Sequence, residues 1–208
     1  WDELTLPYPD PRNSEIAMEA TPDRYRYVLS CPVVGPPGVK WTYNGGATAL
    51  LGYLITRGTA EKLPDYARRV LFDPIGAGPT EWSHGSDGET RAASGLRLRP
   101  GDLLTVGRMA MANGVWQGRQ IVPAKWLERS TTRAVVIDGP FGYGWHWYLL
   151  SPQGSGVPTI SAAGWGGQRL FIMPDLDLVV AMNCGNYRKS GMQQRRVADV
   201  LLQHGRED

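Results

Sequence analysis

Residues 41–52 read WTYNGGATALLG. A polar pair, Tyr43-Asn44, stands directly before two glycines, and an apolar run follows. From Gly46 onward the pattern is helical: Ala47, Leu50, Leu51 and Leu54 recur at i, i+3, i+4 and i+7, the spacing of one helix face. Gly58 is the expected stop. Asn44 suits an N-cap, because its side-chain oxygen can accept a first-turn N–H. Tyr43 then sits at a corner where a loop becomes a helix.

Upstream, residues 1–40 are rich in proline. PYPDPRN (7–13) is a turn-rich segment. TPDRYRYVLS (21–30) predicts a short helix with Pro22 in its first turn, and CPVVGPPG (31–38) is a loop delivering the chain to Trp41. Downstream, a second helix is expected over about 62–72. Residues 79–99 are polar and glycine-rich, a long loop. SGLRLRPGDLLTVGRMAMANG (94–114) holds a helix expected to begin at Asp102 as its N-cap, with Leu103, Val106 and Ala110 as its stripe. VWQG (115–118) is a turn, and VPAKWLERS (122–130) a short helix with proline in the first turn.

After about residue 135 the pattern changes. FGYGWHWYLL (141–150) is aromatic and strand-like. RLFIM (169–173) and LVVAMN (178–183) are two strands joined by PDLD (174–177), a hairpin in which Asp175 and Asp177 form the turn. Met192, Val197, Val200 and Leu201 suit a closing amphipathic helix over about 189–204. Helices first, then antiparallel strands, then a helix is an α+β plan. A helical and loop lobe over 1–135 and strands with a C-terminal helix over 136–208 are expected to make one compact unit, not two independent domains.

Composition narrows the classes. Apolar residues make up 42% of 208, enough for a sizeable core, and the net charge is +2. No basic run points to nucleic acid. No apolar stretch reaches the roughly 18–20 residues of a membrane span. Cys31 and Cys184 lie far apart with no metal spacing, so buried free thiols are expected. His84, His146 and His204 are scattered, and no cofactor or metal site is predicted. His146 lies among Tyr143, Trp145, Trp147 and Tyr148, a cluster read as core or as the lining of an apolar acyl pocket. The chain begins at Trp1 rather than Met, which suggests that a natural N-terminal part is missing; the compartment, cytoplasmic or periplasmic/secreted, stays open.

Several segments, in order, resemble one superfamily. WTYNGGATALLG is similar to the tyrosine corner of the serine β-lactamases and penicillin-binding proteins, RVLFDPIGAG (69–78) to the phrase that follows it in the class C-type branch, and residues 93–114 to that branch's next helix. SAAGWGGQRLFIMPDLDLVVAMN (161–183) resembles the third motif and the hairpin behind it. In this last segment the chain is most like esterases and 6-aminohexanoate-dimer hydrolases, which carry Gly-x-Gly-Gly followed by Gln. The resemblance implies a β-lactamase/transpeptidase-like fold and a serine hydrolase of esters or linear amides that works through an acyl-enzyme, without a cofactor.

The resemblance also assigns roles. Tyr43 would carry the proton between nucleophile and leaving group. The Trp165 backbone N–H would be one oxyanion donor, and Gly164, Gly166, Gly167 and Gln168 would line the path of the substrate. Asn44 and Gly45 fall at the amide-binding part of the tyrosine motif, but the family's amide stands two residues after the tyrosine, where this chain has Gly45. Ala162 replaces the family's Lys or His, which argues against a dedicated penicillinase. The nucleophile motif is Ser-x-x-Lys, and no serine in this chain has a lysine three residues on. The expectation is a fold incomplete at its N-terminus and inactive alone, with the missing segment or a second copy covering an exposed apolar trough and strand edge. The alternative is a non-catalytic binding or scaffold protein derived from the same fold.

Overall fold

A computed structural model describes residues 1–150, 157–185 and 187. The predicted C-terminal helix over 189–204 lies outside the described residues. Residue contacts group Trp1–Leu98 as one unit and the chain from Arg99 onward as a second. The line expected at residue 135 followed the change in sequence character; the contacts place the helices after Arg99 with the strands.

The first unit is helical. Helix α1 (Ser14–Glu19) is capped by Asn13, whose side chain accepts the N–H groups of Glu15 and Ile16. The same fully buried side chain donates to the carbonyls of Glu3 and Leu6. One amide thus starts a helix and ties the N-terminal loop to it. Helix α2 (Arg24–Ser30) is capped by Asp23, so Pro22 precedes the cap instead of filling the first turn. Helix α3 (Gly45–Thr59) ends at Ala60 in the left-handed region, φ 57°, two residues beyond the expected stop at Gly58. Helix α4 (Leu63–Ala67) runs into a π-helical turn over Arg68–Phe72. The expected loop over 79–99 holds one small ladder, β1 (Glu81–Trp82) with β2 (Leu96–Arg97).

The buried face of α3 is not the face its leucines predict. Gly45, Gly46, Ala49 and Gly52 are buried, whereas Leu51 is 48% and Leu54 61% exposed. The reason is close approach. A Cβ on Gly46 would stand 2.7 Å from the Trp1 ring and 2.8 Å from Val28 Cγ2, and one on Gly52 would stand 2.4 Å from Ala92 Cβ. Neighbours this near admit only the small stripe.

In the second unit, helix α5 (Pro100–Met111) starts one turn earlier than expected. Arg99 is its cap residue and Pro100 takes the first position, where a missing N–H costs nothing. Asp102 is therefore inside the first turn, not the cap. VWQG becomes a hairpin of β3 (Val115–Trp116) and β4 (Arg119–Gln120), with Gln117 and Gly118 both at positive φ, as a primed two-residue turn needs. Helix α6 (Ala124–Ser130) follows Pro123.

Among the described residues six strands then form an antiparallel sheet in sequence order: β5 (Val135–Asp138), β6 (Phe141–Tyr143), β7 (Tyr148–Leu150), β8 (Thr159–Gly164), β9 (Gln168–Met173) and β10 (Leu178–Met182). FGYGWHWYLL is thus two strands with a tight reversal, where His146 adopts φ 67°. The predicted β9–β10 hairpin is present, with Asp177 left-handed at its turn. Leu170 to Met173 are buried in succession, so both faces of β9 are covered, and α5 lies on β9 and β10. Gly107 permits that contact, since a Cβ there would stand 2.5 Å from Val179 Cγ1 and 2.8 Å from Leu170 Cδ1. Cys31 and Cys184 are free and half-buried, less enclosed than expected.

The inverted stripe on α3 gives a test. Gly46→Val should destabilise the chain by about 1–3 kcal/mol through overpacking, while Leu54→Ser should stay within about 0.5 kcal/mol. Denaturant midpoints decide it; the reverse ranking would mean that the leucine face is the buried one.

Candidate functional site

The tyrosine corner is built from the start of α3. Asn44 is extended and its Oδ1 accepts the Ala47 N–H at 3.0 Å, so its side chain caps the helix. The Gly45 N–H donates to Glu3 Oε2 at 2.7 Å. Tyr43 is half-buried, with its ring 6.3 Å from that of Trp41 and tilted against it.

Behind the corner stands a carboxylate that sequence reading missed. Glu3 is 3% exposed. Besides Gly45 it takes the Trp1 indole N–H at 2.8 Å and the Tyr8 hydroxyl at 2.9 Å. Burial, and then the charge of Glu3, hold the Tyr8 phenol well above its usual range, with Tyr43 adding a smaller push. Glu15, 5% exposed, lies beside Glu3. Burial pushes Glu15 up to about 7; a hydrogen bond with Ser94 opposes this, while Glu3 and the charge of Glu19 add to it. Further along α1, Glu19 pairs with Arg24 at 3.2 Å and Arg91 at 3.0 Å, and Arg24 also grips Asp87. Nothing in the local spacing of Glu3 marks it as special: its partners lie up to 42 residues away. Helix α1 could have been read, since Asn13 followed by Ser-Glu is a start signal.

The glycine segment forms a three-residue hairpin loop. Strand β8 ends at Gly164, which pairs with Gln168 at the start of β9, and Trp165, Gly166 and Gly167 make the reversal. Gly166 and Gly167 have φ of 81° and 97°, a region that favours glycine. The loop carries a large exposed aromatic: Trp165 is 47% exposed and its ring lies 4.9 Å from that of Tyr187. The Arg169 guanidinium donates to the carbonyls of Gly164 and Gln168 at 2.9 and 2.7 Å. The Gln168 amide bridges the backbone of Cys184, donating to its carbonyl and accepting its N–H at 3.3 Å. It therefore ties the start of β9 to the segment that follows β10.

In the aromatic segment the Tyr143 and Tyr148 rings meet edge to face at 5.1 Å, and Trp145 packs on Trp126 at 5.0 Å with the Arg129 guanidinium 4.4 Å over its ring. Among the described residues no group of three His, Cys, Asp or Glu side chains is placed to hold a metal, and no helix is long and apolar enough to cross a membrane.

A tyrosine directly before a capped helix and a glycine hairpin opening the last strand pair are two landmarks of one fold. A profile of the Beta-lactamase family matches residues 4–202. The chain belongs to that family. Its fold is β-lactamase/transpeptidase-like, and the family is one of serine hydrolases within the serine β-lactamase and penicillin-binding-protein superfamily. Solved structures agree on the fold. A Bacillus anthracis chain assigned as a 6-aminohexanoate-dimer hydrolase superposes with TM-score 0.78 at 21% identity, over 87% of this chain and 47% of that one. EstCE1, a hydrolase with promiscuous acyltransferase activity, gives 0.72 at 12% identity, over 94% and 66%. A beta-lactamase/D-alanine carboxypeptidase from Yersinia pestis gives 0.64 at 17%, over 86% and 58%. This β-lactamase-family chain thus spans about half to two thirds of the length of these structures. No curated protein matches its sequence significantly.

Substitutions at two positions check the local geometry. Asn44→Ala should cost about 1 kcal/mol of stability and Asn44→Asp much less, read by denaturant unfolding. Gly166→Ala places a Cβ 2.5 Å from the Tyr187 ring at positive φ and should abolish the ring contact, visible as a changed environment of the Trp165 indole by NMR.

Proposed function

We propose that this chain is part of a serine hydrolase that cleaves esters or linear amides through an acyl-enzyme. Tyr43 serves as the proton carrier, and the hairpin loop at Trp165 supplies an oxyanion donor. The carrying observation is the position of Tyr43, one residue before the cap of α3, in a chain matched by the Beta-lactamase family over residues 4–202. The names of the similar structures include a 6-aminohexanoate-dimer hydrolase and a hydrolase with promiscuous acyltransferase activity, which supports a reading as acyl-transfer chemistry.

A phenol is a weak base at its ordinary pKa near 10. It moves a proton efficiently only beside a cation that stabilises the phenolate, which the lysine of a Ser-x-x-Lys pair would provide. The serine attacks the acyl carbon while its proton passes to Tyr43. The carbonyl oxygen, now negative, is held by the Trp165 N–H and a second donor, and Tyr43 returns the proton to the departing alcohol or amine. Gly164, Gly166 and Gly167 let the substrate pass close to the strand. Gln168 contributes by bracing, since its amide is engaged with Cys184.

The sequence holds no Ser-x-x-Lys; in this reading the nucleophile comes from a segment outside it, and the chain alone is expected to be inactive. The exposed apolar side chains Leu29, Val33, Val34, Leu51 and Leu54 of the first unit support an additional covering segment or a second copy. Light scattering on the chain alone should then show association.

An activated ester tests the reading. The chain alone should release no burst, whereas a longer form carrying Ser-x-x-Lys should release one acyl group per chain. In that longer form Tyr43→Phe should lower kcat about 10²–10⁴-fold, the usual contribution of a general acid–base. A stoichiometric burst from this chain alone, or an unchanged kcat for Tyr43→Phe, would sink it.

A further inference from the structure

The peptide between Gly164 and Trp165 has two polar ends. Its N–H is the oxyanion donor of the reading above. Its carbonyl, that of Gly164, accepts from Arg169 Nη1 at 2.9 Å. The peptide is trans, and a trans peptide is planar, so its C=O and N–H point in opposite directions. Whatever holds the carbonyl therefore aims the N–H. The same Arg169 nitrogen donates to the Gln168 carbonyl at 2.7 Å, so one guanidinium spans both ends of the three-residue loop Trp165–Gly167. Register explains the reach: Gly164 pairs with Gln168 at the base of the hairpin, and Ala163 with Arg169 one step behind it.

This loop gains from such a hold. Gly164 has no Cβ, so turning the peptide plane through half a turn meets little steric resistance on that side. Gly166 and Gly167 follow at positive φ, in a segment of high backbone freedom. A turned peptide would present a carbonyl oxygen where the donor belongs and would repel an oxyanion. The bond from a guanidinium to a carbonyl is charge-assisted, roughly twice as strong as a neutral one, and the turn would break it. The cation also polarises the peptide it binds, which strengthens the N–H as a donor.

We propose that Arg169 aims the Trp165 N–H by holding the Gly164 carbonyl, and so pre-sets the oxyanion site. Arg169 is a positioning residue, not a catalytic one: it grips the carbonyl end of the peptide, and the substrate meets the N–H end. The catalytic consequence rests on the hydrolase reading above; the orientation of the peptide does not.

Nitrogen-15 NMR of the chain alone tests the orientation. In the parent the two Nη groups of Arg169 should give separate signals, because rotation about their Cζ–N bonds is slowed when the guanidinium grips the loop. One averaged signal, as for an arginine turning freely in water, would overturn the proposal even if every variant fails to fold. In Arg169→Met the Trp165 amide signal should shift and broaden, and Arg169→Lys, which keeps a cation, should restore part of the change. In the longer form carrying Ser-x-x-Lys, Arg169→Met should lower kcat about tenfold or more, less than the roughly 10²–10³-fold of deleting an oxyanion donor outright. A thionoester separates this from general damage, because its sulfur accepts hydrogen bonds weakly. The parent should prefer an ester to its thionoester, and Arg169→Met should lose most of that preference; a merely structural lesion would lower both rates alike. An unmoved Trp165 amide, or an unchanged ester-to-thionoester ratio, refutes the role of Arg169. The spectra need no hydrolysis, so the orientation can fail while the hydrolase reading stands, and the converse.

Discussion

The first unit depends on how closely its backbone elements approach α3. Trp1, Val28 and Ala92 sit against Gly46 and Gly52 at distances that leave no room for a Cβ. Dispersion contacts are individually tiny but many, and they fall off steeply with separation, so such an approach fixes the rotation of the helix. That rotation puts Leu51 and Leu54 outward, and it brings the Gly45 N–H to the Glu3 carboxylate. The corner that carries Tyr43 is a consequence of this packing.

Close approach has an electrostatic counterpart. A buried carboxylate is tolerated only when donors meet it, and Glu3 is met by an indole, a phenol and a helix N-terminal amide. The start of α3 favours negative charge, which suits the site. Further along α1 the same rule appears as ion pairing: Arg24, 1% exposed, is enclosed by Glu19 and Asp87. Removing one partner of such a group leaves an uncompensated charge. These polar contacts join residues far apart in sequence and make the proline-rich N-terminal segment part of the corner.

In the second unit glycine again decides contacts. Gly107 lets α5 lie on β9 and β10, and Gly166 lets Tyr187 lie on the hairpin loop. Arg169 and Gln168 then lock the loop ends to the backbone on either side. A loop held at both ends is suited to presenting backbone N–H groups in a fixed direction, the property an oxyanion site needs.

Much of this was legible in the sequence. The α+β order, the helix after Tyr43, the cap at Asn44 and the hairpin turning at Asp177 follow from local signals, because caps, turns and periodicities act over a few residues. The family resemblance at WTYNGGATALLG and GWGGQ was equally plain. Three things were not legible. The buried face of α3 was read from its leucines, but periodicity reports where apolar residues recur, not which neighbour arrives; the small stripe won because Trp1, Val28 and Ala92 come too close for anything larger. Asp102 looked like a cap, but Pro100 starts α5 earlier. Glu3 carries no local signal, and only the tertiary structure could bury it and bring the Gly45 N–H to it, since that partner meets it through folding and not through spacing. The sequence by itself determined which elements form and which family they belong to; the tertiary structure decided which faces are buried and where the charge at the corner is held, because both depend on contacts between residues distant along the chain.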